Sequence, residues 1–355
     1  MPPRQSRPPS VDSLLPPILS LLQPPLPNPY SAHQKCLTTT ARLVSSGHLS
    51  IAQEILFSTS RELLKLGEAG SGAELGVRLV QVMGDGDVPI DDKSRASLTQ
   101  LLALTPPHGP WRKKLADAAI RWSSTHGDCP TGDPALHQYV GELYYKDKSY
   151  VQAEVHLLAS GKRDAAALLA EMMFDWSEKG QLDPAPYAIR GTLPFLAQHP
   201  PNILPATTFL ATFLSLLSSS QSSFKAHFLA SMPSQTSFSL QEIHITSSPT
   251  LNFLQLALIT VQRAPAVGVS GIQARGMDGG VGREWENLVG RYRRSAGPRG
   301  WLMTKEVQEV LMEISTNVFL IPPPRGQGGG DMLQNLMGSL FGGGGGGGGG
   351  AIGSR

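Results

Sequence analysis

Cysteine is nearly absent from this chain of 355 residues: only Cys36 and Cys129 occur, far apart. That excludes a CxxC redox pair, a cysteine-ligated zinc site and a disulfide framework, and it fits a reduced compartment. Charge is scarce and balanced, with 30 Lys and Arg against 28 Asp and Glu and a formal net charge of +2. Such a field is too weak to make nucleic acid or an anionic membrane surface the main partner. The densest basic run is only Arg291, Arg293 and Arg294. Long apolar runs are missing as well. The longest, from Ile203 to Leu217, falls short of the roughly 20 residues a membrane span requires, contains Pro205 and several threonines, and reads as a buried core helix. The apolar patch from Leu14 to Leu22 is broken by Pro16 and Pro17 and no clean cleavage pattern follows it, so no signal peptide is expected.

Motifs for catalysis are also lacking. Gly276, Gly279, Gly280 and Gly282 lack the preceding apolar strand and the following Lys-Ser/Thr of a phosphate-cradling loop and read as a linker. None of the nine histidines is paired i, i+4 on a predicted helix, the spacing that could bind zinc; His137 and His156 read as packed or solvent-edge side chains. Asp91-Asp92 reads as a helix N-terminus, where carboxylates meet the positive end of the dipole. Met172, Met173, Phe174 and Trp176 follow helical spacing with Leu168 and Leu169 and read as core. The expectation is therefore a protein that is not an enzyme, with no cofactor and no metal. An enzyme with an unrecognised site is the competing reading.

What is abundant is glycine, proline and helical rhythm. A chain of this length forms two or three domains or one array of repeats. Residues 1–28 are rich in proline and are expected to be mostly disordered, because each proline lacks an N–H and clashes with the preceding turn. From Tyr30 to about Phe213, apolar residues recur every three or four positions between short breaks such as Gly47, Gly84-Asp85-Gly86, Pro106-Pro107 and Gly161, a helix–turn–helix rhythm. Asp133 before Pro134 is an N-cap followed by proline at the first helical position.

The segment from His137 to Ser160 matches the tetratricopeptide pattern at Gly141, Tyr144, Tyr150, Ala153 and Leu157, and departs from it at His137, where Trp is usual, and at Lys148, where the turn has Gly. A weaker copy occupies Gly47, Leu49, Ala52 and Leu56. Ala52 and Ala153 are 101 residues apart, one short of three periods of about 34. The pattern predicts an all-α fold, a right-handed α-solenoid of TPR-like helix pairs, with an irregular helical bundle as the alternative.

Beyond a polar stretch at Ser218 to Ser223, the alternation Phe238, Leu240, Ile243, Ile245 predicts a short strand or β-hairpin, with Gln241-Glu242 as its turn or a re-phasing kink. Its unpaired edge either covers a helix end or accepts a partner. Helical spacing resumes at Leu251 to Val261, Gly282 to Tyr292 and Lys305 to Leu320. Past Pro322-Pro323-Pro324 the chain becomes low-complexity and runs into Gly342 to Gly350.

Five groups of segments, in order, resemble the Golgi-to-ER traffic protein 4 family. They are Tyr30-Ser31-Ala32-His33-Gln34; Gly70-Ser71-Gly72-Ala73-Glu74-Leu75; Gly132-Asp133-Pro134 through Gly141 to His156-Leu157-Leu158; Asn252-Phe253-Leu254-Gln255-Leu256 with Val261-Gln262-Arg263; and Pro322-Pro323-Pro324 with Gln327-Gly328-Gly329 and Gly338-Ser339-Leu340-Phe341. The resemblance implies a cytosolic adaptor that targets tail-anchored membrane proteins to the ER by bridging two partners. Tyr30, His33, Gln34 and Arg42 would face the targeting ATPase. Phe238, Leu240, Ile243, Ile245, Asn252, Phe253 and Leu256 would hold a ubiquitin-like-domain protein. The implied layout is a disordered N-terminus (1–28), an ATPase-facing repeat region (29–217), a helical region with the hairpin (218–321) and a disordered glycine-rich tail (322–355). The chain departs from the family at Pro24-Pro25-Leu26-Pro27-Asn28-Pro29, which interrupts a first helix that is otherwise continuous. A helical-repeat subunit of another large cytosolic complex is the alternative function.

Overall fold

The computed structural model describes residues 9–219, 228–233, 242–264 and 280–322. The chain forms two compact units, Met1–Ser160 and Gly161–Arg355. The boundary thus falls at 160/161, not at the expected 217/218. The physical reason lies in what the helices after residue 160 bury: they pack on one another and on the hairpin-bearing region, so they belong to its core. From residue 323 on, the glycine-rich tail lies outside the described residues.

In the first unit, α1 (Val11–Leu14), α2 (Pro16–Leu19) and a 3-10 turn (Ser20–Leu22) precede α3 (Pro29–Ser45), α4 (Leu49–Lys65), α5 (Ala69–Asp85), α6 (Asp92–Leu104), α7 (Trp111–His126), α8 (Pro134–Lys146) and α9 (Tyr150–Ser160). From α3 onward, consecutive helices pack together, and α3 also touches α5, α4 touches α6, α5 touches α7 and α6 touches α8. Contact with nearest and next-nearest neighbours is the packing of a helical-repeat stack, in which each pair buries its apolar stripe on the next.

From residue 9 on, the N-terminal segment corrects the expectation of disorder, while residues 1–8 lie outside the described residues. Pro16 occupies the first position of α2, where the missing N–H has no partner to lose. Ile18 and Leu22 are buried against α3 and α4, and Lys35 Nζ donates to Pro17 O at 3.0 Å. Counting prolines missed these two apolar anchors. The Pro24–Pro29 stretch ends by starting the next helix: Asn28 Oδ1 accepts from Ser31 N at 3.0 Å, and Pro29 is the first residue of α3.

The repeats share a turn that the sequence disguises. After α3, α4, α5 and α8, the chain closes with the same two hydrogen bonds, for example His48 N to Leu43 O and Gly47 N to Val44 O, and Ser149 N to Tyr144 O and Lys148 N to Tyr145 O. This is a Schellman closure, which requires a left-handed residue. Gly47 (φ 79°) and Gly67 (φ 83°) supply it without strain, whereas Asp87 (φ 46°) and Lys148 (φ 58°) adopt it against their Cβ. Replacing Lys148 with glycine is therefore expected to stabilise the chain by about 1 kcal/mol in urea unfolding, despite the greater flexibility of the unfolded state. At the matched repeat, a Cβ on Gly141 would meet Leu157 Cγ at 2.7 Å, so glycine sets the α8–α9 approach; Ala153 and Leu157 are fully buried.

The second unit contains α10 (Arg163–Gly180), α11 (Ala185–Leu196), α12 (Ile203–Ser219), strands β1 (Phe228–Pro233) and β2 (Glu242–Thr246), then α13 (Pro249–Gln262), α14 (Val281–Ala296) and α15 (Lys305–Asn317). Phe195, Phe209, Phe213, Phe253 and Trp285 are fully buried and form the aromatic part of its core. Trp285 donates its Nε1–H to Ser315 Oγ at 2.8 Å and stacks on Phe319 at 4.8 Å. The run from Ile203 to Leu217 is the interior helix α12. Among the described residues, no helix is long and apolar enough to cross a membrane.

β1 and β2 pair antiparallel, with an irregularity between Phe228 and Ala230. The expected strand is thus half right. Ile243 and Ile245 lie on β2, but its pairing partner lies upstream at 228–233, and Glu242 opens the strand instead of turning it. Phe238 and Leu240 lie outside the described residues.

Candidate partner-binding surfaces

On α3, periodicity decides which side chains reach solvent. Tyr30 is 73% exposed, and Gln34 and Arg42 are also exposed, three positions on the outward face. His33 is not part of that face. It is buried, with Nε2 3.3 Å from Glu74 Oε2 on α5, because it sits on the stripe of Ala32, Cys36, Thr40 and Leu43 that packs inward. Sequence reasoning missed Leu26, which is 87% exposed and lies four residues before Tyr30 in the proline-bounded turn. Nothing in the sequence marked it, since prolines fix the backbone and not the direction of the side chains between them, as buried Ile18 after Pro16-Pro17 shows. Residues 1–48 carry Arg4, Arg7, Lys35 and Arg42 against Asp12 alone. The described part of this surface exposes Leu26 and Tyr30 as apolar side chains and Lys35 and Arg42 as cations.

At the ribbon, two amides of α13 complete what β1 leaves open. Gln255, fully buried, accepts His244 N–H on Oε1 at 2.7 Å and donates from Nε2 to His244 O at 2.8 Å. Asn252 accepts Thr246 N–H at 2.8 Å and donates to Thr246 O at 2.7 Å. Residues 244 and 246 are alternate, so one turn of helix plays the part of a neighbouring strand along that edge of β2. Asn252 is therefore a positioning residue. Gln255 was not among the expected site residues; the signal for it was a pair of amides three apart in an otherwise apolar helix, since buried amides need partners.

The remaining expected residues divide by depth. Ile245 is 38% exposed and Ile243 is half-buried, both on the same face of β2. Leu256 is half-buried on α13. Phe253 is fully buried, 6.2 Å from the Trp285 ring and 5.9 Å from Tyr292, and so supports the ribbon from inside.

One titratable cluster sits in the first unit. His137 and His156 approach Nδ1 to Nδ1 at 3.0 Å, His137 Nε2 is 2.9 Å from Thr131 O, and Tyr144 stacks on His156 at 5.6 Å. A carbonyl only accepts, so His137 carries its proton on Nε2 and accepts on Nδ1 from His156 Nδ1–H. This arrangement holds for two neutral rings, the state that the lowered pKa of each favours. Burial, with His137 and Lys113 adding to it, pushes the His156 pKa down to about 3; burial also lowers that of His137, against the pull of Thr131 O and Asp133. Because the folded state holds these protons less tightly than the unfolded one, their contribution to stability is complete above the ordinary value of 6.5 and is lost as the pH falls below it. Urea unfolding should lose up to about 1.4 kcal/mol per pH unit below 6.5 for His156 in the wild-type chain, a slope that His156→Gln removes. Among the described residues, no three His, Cys, Asp or Glu side chains gather to hold a metal ion.

Against known proteins, residues 46–341 match the family model for Golgi to ER traffic protein 4. The chain is 28% identical over 329 residues to Golgi to ER traffic protein 4 of Aspergillus fumigatus, covering 88% of this chain and 85% of that one. It is 24% identical over 314 residues to the Homo sapiens homolog, covering 88% and 82%. The crystal structure of C. therm. Get4 superposes with a TM-score of 0.72 at 29% identity, covering 94% of this chain and 96% of the other. The family match begins after α3, so Tyr30, His33, Gln34 and Arg42 precede it.

Proposed function

The chain belongs to the Golgi to ER traffic protein 4 family, and from that premise we propose that it is a non-enzymatic cytosolic adaptor for the insertion of tail-anchored membrane proteins. It bridges a targeting ATPase at the outward face of α3 and a ubiquitin-like-domain protein at the β-ribbon. The observation that carries this reading is the ribbon itself. A two-stranded ribbon is marginal alone in water, yet here helix amides lock β2 at both His244 and Thr246 while Ile245 stays partly in solvent. A strand fixed in place with an apolar side chain outward fits a surface made to be covered.

The adaptor holds its partners by burial. An apolar anchor at the centre of such a contact costs about 1–3 kcal/mol of binding when truncated, and Ile243 and Ile245 are two such side chains on one face of β2. Tyr30 on α3 and Leu26 in the turn before it would provide apolar contact, and Arg42 the charge that orients an acidic partner.

The test uses the full chain in two arms. Ile243→Asp/Ile245→Asp should weaken binding of the ubiquitin-like-domain protein at least about 30-fold, with an unchanged melting temperature and unchanged ATPase binding. Tyr30→Ala/Arg42→Glu should do the reverse. Wild-type affinity for both partners in both variants would sink the proposal.

A further inference from the structure

The densest basic run of the sequence, Arg291, Arg293 and Arg294, has no part in either surface described above. From Asn287 to Lys305 the chain contains no Asp or Glu, against these three arginines, Arg299 and Lys305. The three lie toward the C-terminal end of α14, and Arg299 lies in the turn that follows it. Arg291, Arg294 and Arg299 are exposed, and among the described residues none of the four arginines forms an ion pair.

Arg293 is the unusual member. It follows Trp285 and Val289 in the i, i+4, i+8 row that α14 turns inward, and its Nε is buried with no hydrogen-bond partner among the described residues. Burial lowers its pKa, and no carboxylate offsets that. A guanidinium held partly in the interior without an anion is a cost to the fold. The dipole at a helix C-terminus favours cations in the last turn. It accounts neither for Arg291 and Arg299, which lie outside that turn, nor for the orphaned Nε. Arg294 turns back along the helix, with Nη1 3.6 Å from the position of a Cβ on Gly290. Residue 290 has no side chain, which leaves the helix surface beneath that guanidinium bare.

Two contacts fix where this end of α14 lies. Arg263, just past the end of α13, pairs with Glu284, at the start of α14, at 2.8 Å, while Tyr292, near the end of α14, lies 5.9 Å from Phe253, near the start of α13. The two helices therefore run antiparallel. The arginines and the ribbon share one end of this pair, because Asn252, next to Phe253, is the residue that holds Thr246 of β2. That continuity and the charge select the occupant. Planar guanidinium groups match carboxylates in bidentate pairs. A net charge of +2 gives the cluster no wider basic field with which to hold a phosphate backbone or a membrane.

We propose that Arg291, Arg293, Arg294 and Arg299 hold an acidic segment of the ubiquitin-like-domain protein, continuing its contact from the ribbon onto the end of α14. The proposal rests on the assignment of that protein to the ribbon and adds the chemistry of a second contact. The ribbon supplies apolar burial, and the arginines supply orientation and association rate.

Calorimetry with the full chain and the ubiquitin-like-domain protein tests this. Arg291→Glu/Arg294→Glu/Arg299→Glu is expected to weaken binding at least about 10-fold at about 0.05 M salt, with the gap closing toward about 1 M salt. Arg291→Lys/Arg294→Lys/Arg299→Lys keeps the charge and adds amines, and a zero-length carbodiimide cross-linker should join those lysines to Asp or Glu side chains of the partner. Wild-type affinity of the glutamate variant overturns the proposal, as does a loss that does not depend on salt, or lysines that join no carboxylate of the partner. A glutamate variant that loses only its affinity for phosphatidylserine vesicles also overturns it and assigns the arginines to a membrane surface. Ile243→Asp/Ile245→Asp tells the two readings apart. If that variant loses the protein while the glutamate variant keeps it, this proposal alone fails; if that variant keeps it, the ribbon assignment fails and takes this proposal with it.

Discussion

Gly191→Ala is expected to destabilise the second unit by at least about 3 kcal/mol. A Cβ at residue 191 would sit 1.9 Å from Phe209 Cζ and within 2.4 Å of both Cε atoms. No rotation of the ring about its own axis clears three atoms at once. Phe209 cannot retreat either, because it is fully buried and stacked on Phe213 at 5.6 Å. A close-packed interior has no void to receive the displaced ring. The glycine is therefore what permits α11 and α12 to cross at this point. A double-mutant cycle separates this cause from the change in helix propensity, which favours alanine. Phe209→Ala alone should cost about 3–5 kcal/mol through the cavity it leaves, and adding Gly191→Ala to it should cost nothing further. Urea unfolding of the four chains measures the coupling, and additive effects would refute the steric account.

Arg112→Met is the second large effect, expected to cost about 3–5 kcal/mol. Arg112 is buried at the start of α7, and its guanidinium donates to Thr105 O, with the Nε bond at 3.0 Å, and to the Asp147 carboxylate. It thus joins the end of α6 to the turn between α8 and α9. Methionine matches the length of the stem but leaves a half-buried carboxylate and a buried carbonyl with no donor. The cost arises from those stranded acceptors. Asp147→Asn together with Arg112→Met should recover part of the loss, because the neutral amide is cheaper to leave unpaired than the carboxylate. Thermal unfolding of the single and double variants measures the recovery; a double variant less stable than Arg112→Met would refute this account.

These two predictions show where sequence reading stops. Periodicity located the helices from α3 onward, since a stripe at three and four residues is a local property written in every turn of the helix. Asp91 and Asp133 were readable as N-caps for the same reason: their carboxylates bond backbone N–H groups two or three residues away. Gly141, Ala153 and Leu157 were readable because the repeat pattern encodes one helix approaching its immediate neighbour. The Schellman turn at Lys148 was only half legible, because lysine in a left-handed position looks like any polar turn residue.

The candidate surfaces were less legible. Tyr30, Gln34, Arg42 and Ile245 are exposed as a binding role requires, but His33 and Phe253 proved to be interior. Both lie within a segment that resembles a family as a string of letters, and a string does not show which letters face outward. His33 is turned inward by the stripe it shares with Cys36 and Thr40. Phe253 is covered by Trp285 and Tyr292, more than thirty residues away in sequence. Gln255 was passed over because its partners are backbone atoms of a strand, whose position no side-chain pattern reveals.

By itself, then, the sequence determined the helical class, most of the helices, the repeat-like pairing and, through its resemblance, the family. Interactions among near neighbours in the chain are enough for these. Only the tertiary structure decided that the proline-rich N-terminus is anchored through Ile18 and Leu22, that the units divide at residue 160, that two histidines share one proton-poor contact and that helix amides hold the ribbon. Each of these depends on burial against a distant segment, and burial is a property of the assembled chain.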